Sequence, residues 1–225
     1  MEKRVLSLMP LALCLLTSQA VFAKDIPVQG RLFIGSTSAD PKNVNESLTP
    51  QGIKKIDSAS QYGVEVTYPL MKYLNVGARY TKRLINNEED PADGSTDYSA
   101  KVDQDSVLLM ARVPFVKSDF MMVDAFAGVG GTNTSLKIKT SGQNGELSRK
   151  ASEGWFSNPY AAAGASVSVG YKQIFIVLEG GYEMNKVDGF SRTGSINSSV
   201  DTLDLSGSYI TLGIVFDGVP GSIGK

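Results

Sequence analysis

The chain has 225 residues, with 22 basic and 23 acidic side chains, a net charge of −1, no histidine and one cysteine. That balance provides no basic field for nucleic acid, and a single thiol, Cys14, excludes a disulfide framework and a thiolate metal site. Roughly 200 residues beyond the N-terminal leader fit one domain, a size common for a single all-β barrel.

Residues 1–23 read as a cleaved signal peptide: Lys3 and Arg4 make a basic start, an apolar run follows from Val5 to Leu16, and Ala23 is the small residue at the cleavage site. Cys14 lies inside that leader and follows Leu13, where acylation of the cysteine would call for a small residue. No later stretch approaches the roughly 20 continuous apolar residues of a membrane helix, so any membrane crossing is made by strands.

Residues 24–225 form one domain of eight alternating segments, the pattern of a strand with different environments on its two faces. The first, 26–37, sets Leu32 and Ile34 against Arg31 and Phe33, and a polar loop follows over 38–57. The second, 58–68, sets Tyr62, Val64, Val66 and Tyr68 against Gly63, Glu65 and Thr67, and 69–72 read as a tight turn. In the third, 73–85, Leu74, Val76, Ala78 and Tyr80 oppose Asn75, Gly77, Arg79 and Thr81, ahead of a long polar loop over 86–95. The fourth, 100–115, carries Val107, Leu109, Ala111, Val113 and Phe115 opposite Met110 and Arg112, with a short turn at 116–119.

The fifth segment, 120–139, alternates Met121, Val123, Ala125, Ala127 and Val129 with Asp124, Phe126 and Gly128, and its end from Thr132 is too polar for lipid. A Gly/Ser/Asn-rich loop over 140–154 precedes the sixth, 158–171, with Ala161, Ala163, Ala165, Val167, Val169 and Tyr171 on one face. Lys172-Gln173 is a third short turn. The seventh, 174–187, opposes Ile174, Ile176, Leu178, Tyr182 and Met184 to Glu179 and Glu183, and a last loop spans 188–202. The eighth, 207–216, alternates cleanly and ends on Phe216. Three short turns therefore alternate with four long loops, which places turns and termini in the periplasm and loops outside the cell.

This pattern resembles the small outer-membrane barrels of the OmpA transmembrane-domain, OmpX and OmpW type, over nearly the whole domain. The most similar stretches are 62–68 and the hairpin 171–182. The resemblance implies an eight-stranded antiparallel transmembrane up-and-down β-barrel in the cell outer membrane. It also implies an assembly signal in the closing strand, carried by Ile210, Leu212, Ile214 and Phe216, with residues 217–225 as a short extension. Outer-membrane lipid, lipopolysaccharide and the barrel assembly machinery are the partners implied, with the barrel a monomer and any extracellular ligand unnamed.

Seven charges point to the inward face: Arg31, Glu65, Arg79, Arg112, Asp124, Glu179 and Glu183. An eight-stranded interior is just wide enough for side chains to fill, so these groups either pair as a plug that fixes register or rearrange as a gated pore. Catalysis is not expected, because a hydroxyl nucleophile needs a base and the chain has no histidine and no Ser-x-x-Lys motif. No cofactor and no metal is expected either. Residues 128–131 (Gly-Val-Gly-Gly) lack the Lys-Ser/Thr and helix of a phosphate loop. The acidic loop with Glu88, Glu89, Asp90, Asp93 and Asp97 lacks an EF-hand's ligand order. The Asn-x-Ser/Thr matches at Asn45, Asn133 and Asn197 carry little weight in a bacterium. Tyr62, Tyr68, Tyr73, Tyr80, Phe115, Trp155, Tyr171 and Phe216 suit the headgroup level, where amphipathic rings anchor a barrel. The function expected is envelope-structural or surface interaction through the four loops, with a narrow solute channel as the alternative. A soluble periplasmic ligand-binding barrel, with its faces reversed, is a third reading.

Overall fold

The computed structural model describes residues 28–42, 45–46, 55–89, 98–140, 145–151, 158–188, 190–194 and 202–218. The expected signal peptide, Cys14, Trp155, Asn197, the acidic residues Asp90, Asp93 and Asp97, and the extension beyond Gly218 lie outside those residues.

Eight strands close the wall. They are β1 (Val28–Ser38), β2 (Ser58–Met71), β3 (Leu74–Glu89), β4 (Tyr98–Lys117), β5 (Met121–Thr140), β7 (Asn158–Tyr171), β8 (Ile174–Asp188) and β11 (Gly207–Gly218). Each pairs antiparallel with its neighbours in chain order, and β1 pairs with β11 from Val28↔Gly218 to Thr37↔Tyr209, which leaves no free edge around the barrel. Closure satisfies every backbone group inside the wall, the condition for a sheet to cross hydrocarbon.

Three shorter strands continue the wall beyond the bilayer. β6 (Gly145–Ala151) pairs with the far end of β5, β9 (Phe190–Gly194) pairs with β6, and β10 (Thr202–Asp204) pairs with the end of β8. The sequence reading made 140–154 and 188–202 loops, and the structure corrects this: much of both segments is strand. Beyond the membrane a strand has no lipid-facing side that must stay apolar, so its sequence carries no clear alternation, while backbone pairing still extends the sheet. The first periplasmic turn is also shorter than 69–72. β2 runs on to Met71, through a register shift between Pro69 and Met71, and the turn is Lys72–Tyr73.

At about 3.3 Å per residue, the 20 residues of β4 and of β5 span roughly 66 Å of chain. Even at the usual tilt this exceeds a lipid band of about 25 Å, and the surplus lies on the side of the long loops.

Burial alternates along β2, β8 and β11 with a period of two. Ile34, Leu109, Val129, Ile176, Leu178, Leu212 and Ile214 are exposed around the outside, Leu109 at 70%. The buried set faces the lumen in layers. Met122, Phe175, Val177 and Val215 form an apolar layer near the short turns. Leu108, Met110, Phe126, Tyr160, Ala162 and Tyr209 form a second, in the middle. Ala39, Ile56, Ala59, Ile85, Val102, Leu136, Val187, Leu203 and Leu205 form a third under the long loops. Loop residues are held over this last layer: Asn45 donates to the Ile56 carbonyl at 2.8 Å and accepts from the Ile56 amide at 2.8 Å.

Candidate functional site

The seven charges singled out in the sequence all lie buried inside the barrel. They sit there because each occupies the inward phase of an alternating strand whose outward phase is apolar. Cross-strand register does the rest: Arg31 is opposite Glu65, and Glu65 opposite Arg79.

Glu65 is the hub. It accepts from Arg79 Nε at 2.7 Å and from Arg112 Nη2 at 2.9 Å, makes a further short contact with Arg112 Nε, and lies 3.9 Å from Arg31 Nε. Asp124 accepts from Arg31 Nη2 at 2.8 Å and from Arg112 Nη1 at 2.5 Å. Glu179 accepts from Arg112 Nη2 at 2.6 Å, from Arg79 Nη2 at 2.7 Å and from the Tyr209 hydroxyl at 3.1 Å. Three guanidinium groups thus share three carboxylates contributed by six strands, and the charges cancel.

Aromatic rings flank the cations. Arg79 lies 4.8 Å from the Phe33 ring centroid and 5.2 Å from that of Phe126, and Arg112 lies 4.6 Å from Phe126. Each ring has its space because the residue opposite it on the next strand is glycine: Gly63 faces Phe33 and Gly164 faces Phe126. A Cβ on Gly63 would come 2.5 Å from Phe33 Cζ, and one on Gly164 would come 2.8 Å from Phe126 Cζ. Glycine inside a strand marks such close approach.

Glu183 stands apart from this cluster. It pairs with Arg83 and accepts from the hydroxyls of Tyr160 and Thr37, the last at 2.6 Å. Arg83, Tyr160 and Tyr209 are network members that the sequence reading did not single out. Their signal was present, since all three continue the inward phase of their strands. Above them Gln104 and Asn185 exchange side-chain hydrogen bonds at 2.7 and 3.3 Å, and Gln104 also donates to Thr134 at 2.7 Å.

On β11, Ile210, Leu212 and Ile214 are exposed on the outer face and Phe216 is partly so, with Phe216 opposite Ile174 of β8. Tyr68, Tyr73, Phe115 and Tyr171 are exposed near the short-turn end. At the opposite end Lys82 pairs with Asp103 and Asp105, and Tyr80 donates to Asp105 at 2.6 Å.

An apolar outside, a polar inside and a closed eight-strand wall define a transmembrane β-barrel of the outer-membrane type. The chain is a cell outer membrane protein, with the short turns and the paired ends of β1 and β11 at one mouth and the long loops at the other. No family model matches the chain. No curated protein matches it either. Among solved structures it is similar to Ail, the attachment invasion locus protein of Yersinia pestis, at 13% identity and a TM-score of 0.47, over 85% of this chain and 99% of that one. Neisserial surface protein A is similar at 12% identity and a TM-score of 0.44, over 84% and 96%. OprG of Pseudomonas aeruginosa is similar at 12% identity and a TM-score of 0.45, over 86% and 96%. At these identities the likeness concerns the fold alone.

Proposed function

We propose that this protein is a plugged outer-membrane scaffold whose role is structural or adhesive and is carried by its extracellular loops. The observation that supports this is the sum of the lumen: a charge-balanced network of ion pairs lies between apolar layers at both ends. A permeation path needs a continuous wet passage, and ions need a field or carbonyl ring to replace their hydration. Here the three central guanidinium groups and the three central carboxylates pair with one another. Loops on a rigid scaffold are where binding surfaces usually lie. We read the chain as non-catalytic, because it holds no histidine to serve as a general base.

One observation favours a narrow channel as the second reading. The Thr67 and Ser168 hydroxyls are buried in the lumen without a hydrogen-bond partner, as polar groups along a transient water path would be. Liposome swelling separates the two. Vesicles carrying the refolded barrel in a small sugar should swell no faster than empty vesicles, whereas swelling that scales with protein content would replace the scaffold by the channel.

A further inference from the structure

The outer wall is not uniformly convex. Across β2 to β5 a groove of about 880 Å³ runs over the lipid-facing surface. Its floor is set by Ala78, Ala111 and Ala127, with Ala111 and Ala127 directly opposite each other on β4 and β5. Its walls are Tyr68, Leu109 and Val129, all exposed on the outer face. Small side chains in a row of larger ones leave a depression, and in the hydrocarbon band only an apolar chain fills it without cost.

On β2 the lining of the groove reaches Tyr68, and the exposed Leu70 and Met71 continue the apolar surface from there to the first short turn. From Tyr68 to Lys72 is four residues, or about 13 Å of strand. Lys72 is exposed, and its Nζ lies 5.1 Å from the Tyr73 ring centroid. Among the described residues Lys72 has no ion-pair partner, whereas Lys117 on the next turn is neutralised by Asp217 at 3.0 Å. An ammonium without an ion-pair partner among the described residues, beside an aromatic ring and about 13 Å of strand beyond the apolar groove, matches a lipid with a phosphate at one end and an acyl chain at the other.

We propose that this face is a phospholipid site of the periplasmic leaflet, one acyl chain lying in the groove and the phosphate on Lys72. It rests on the membrane placement of the barrel and goes beyond the scaffold role. Lys172 supplies the internal control: it too is exposed at the rim, 5.2 Å from the Tyr171 ring centroid, but on the turn between β7 and β8, away from the groove.

The test is native mass spectrometry of the full barrel released from detergent after incubation with phosphatidylglycerol, and separately with diacylglycerol, which lacks the phosphate. A heat-shifted gel band first establishes that each variant is folded, so loss of the membrane barrel itself would be seen as loss of that band. The wild type should retain one phosphatidylglycerol. Ala127→Leu, which fills the groove, and Lys72→Gln, which removes the charge, should each lower its occupancy at least about fivefold, and Lys172→Gln should not. Diacylglycerol should be held no better by the wild type than by Lys72→Gln. Equal occupancy in all folded variants would overturn the proposal. So would an equal fall with Lys172→Gln, which would mean general rim charge, or a groove occupied by a second copy, read as a dimer lost in Ala127→Leu.

Discussion

Replacing Glu65 by glutamine removes the one carboxylate that all three central arginines approach, while keeping side-chain volume and a hydrogen-bonding oxygen. Arg31, Arg79 and Arg112 would then face Asp124 and Glu179 alone, three cations on two anions, all of them buried. At an effective dielectric of about 20, a pair 2.7 Å apart such as Arg79–Glu65 has a gross attraction of roughly 6 kcal/mol. Part of that is offset by the desolvation glutamine avoids, and removing one partner from a buried pair costs about 3–5 kcal/mol in practice. The folding equilibrium should fall by roughly two to three and a half orders of magnitude. Urea unfolding of the barrel in lipid vesicles, followed by tryptophan fluorescence and gel shift, reads this directly, and the second substitution Arg79→Gln should cost much less in the Glu65→Gln background than alone. A loss below about 1 kcal/mol, with no coupling to Arg79, would refute the view that the network is a mutually dependent plug.

Leu212→Arg places a charge on the exposed outer face of β11 and should cost about 2–4 kcal/mol if it lies near the bilayer midplane, seen as weakened assembly into vesicles. Leu205→Ala removes a fully buried side chain from the apolar layer under the loops, and should cost about 2–5 kcal/mol in the same urea titration. Phe126→Leu withdraws the ring from both Arg79 and Arg112, and should cost about 1–2 kcal/mol in the same titration, with a smaller loss when Arg112 is already glutamine.

Alternation made the barrel legible, because within the bilayer a strand's two faces meet lipid and lumen and its residues must differ accordingly. The same alternation put Arg31, Glu65, Arg79, Arg112, Asp124, Glu179 and Glu183 on inward phases, where the structure buries them. What it could not supply was connection. That Arg112 reaches Glu65, Asp124 and Glu179 together depends on how eight strands stagger around a closed wall, and no local pattern encodes that. Arg83, Tyr160 and Tyr209 lie on the inward phase of strands read from the sequence and were missed because only part of each inward phase was followed. β6, β9 and β10 were missed for a different reason: they are held by backbone pairing to strands that project beyond the membrane, with no lipid face to imprint a pattern. The lipid-facing groove was also illegible, since Ala78, Ala111 and Ala127 come from three strands and adjoin only through register.

The most direct test of the plugged barrel is single-channel current from the refolded protein in a planar bilayer, with the heat-shifted gel band establishing closure. The account predicts a silent trace in the wild type. Reproducible discrete openings, with ion selectivity altered by Arg79→Gln or Glu179→Gln, would contradict it and make the lumen charges a conduction path.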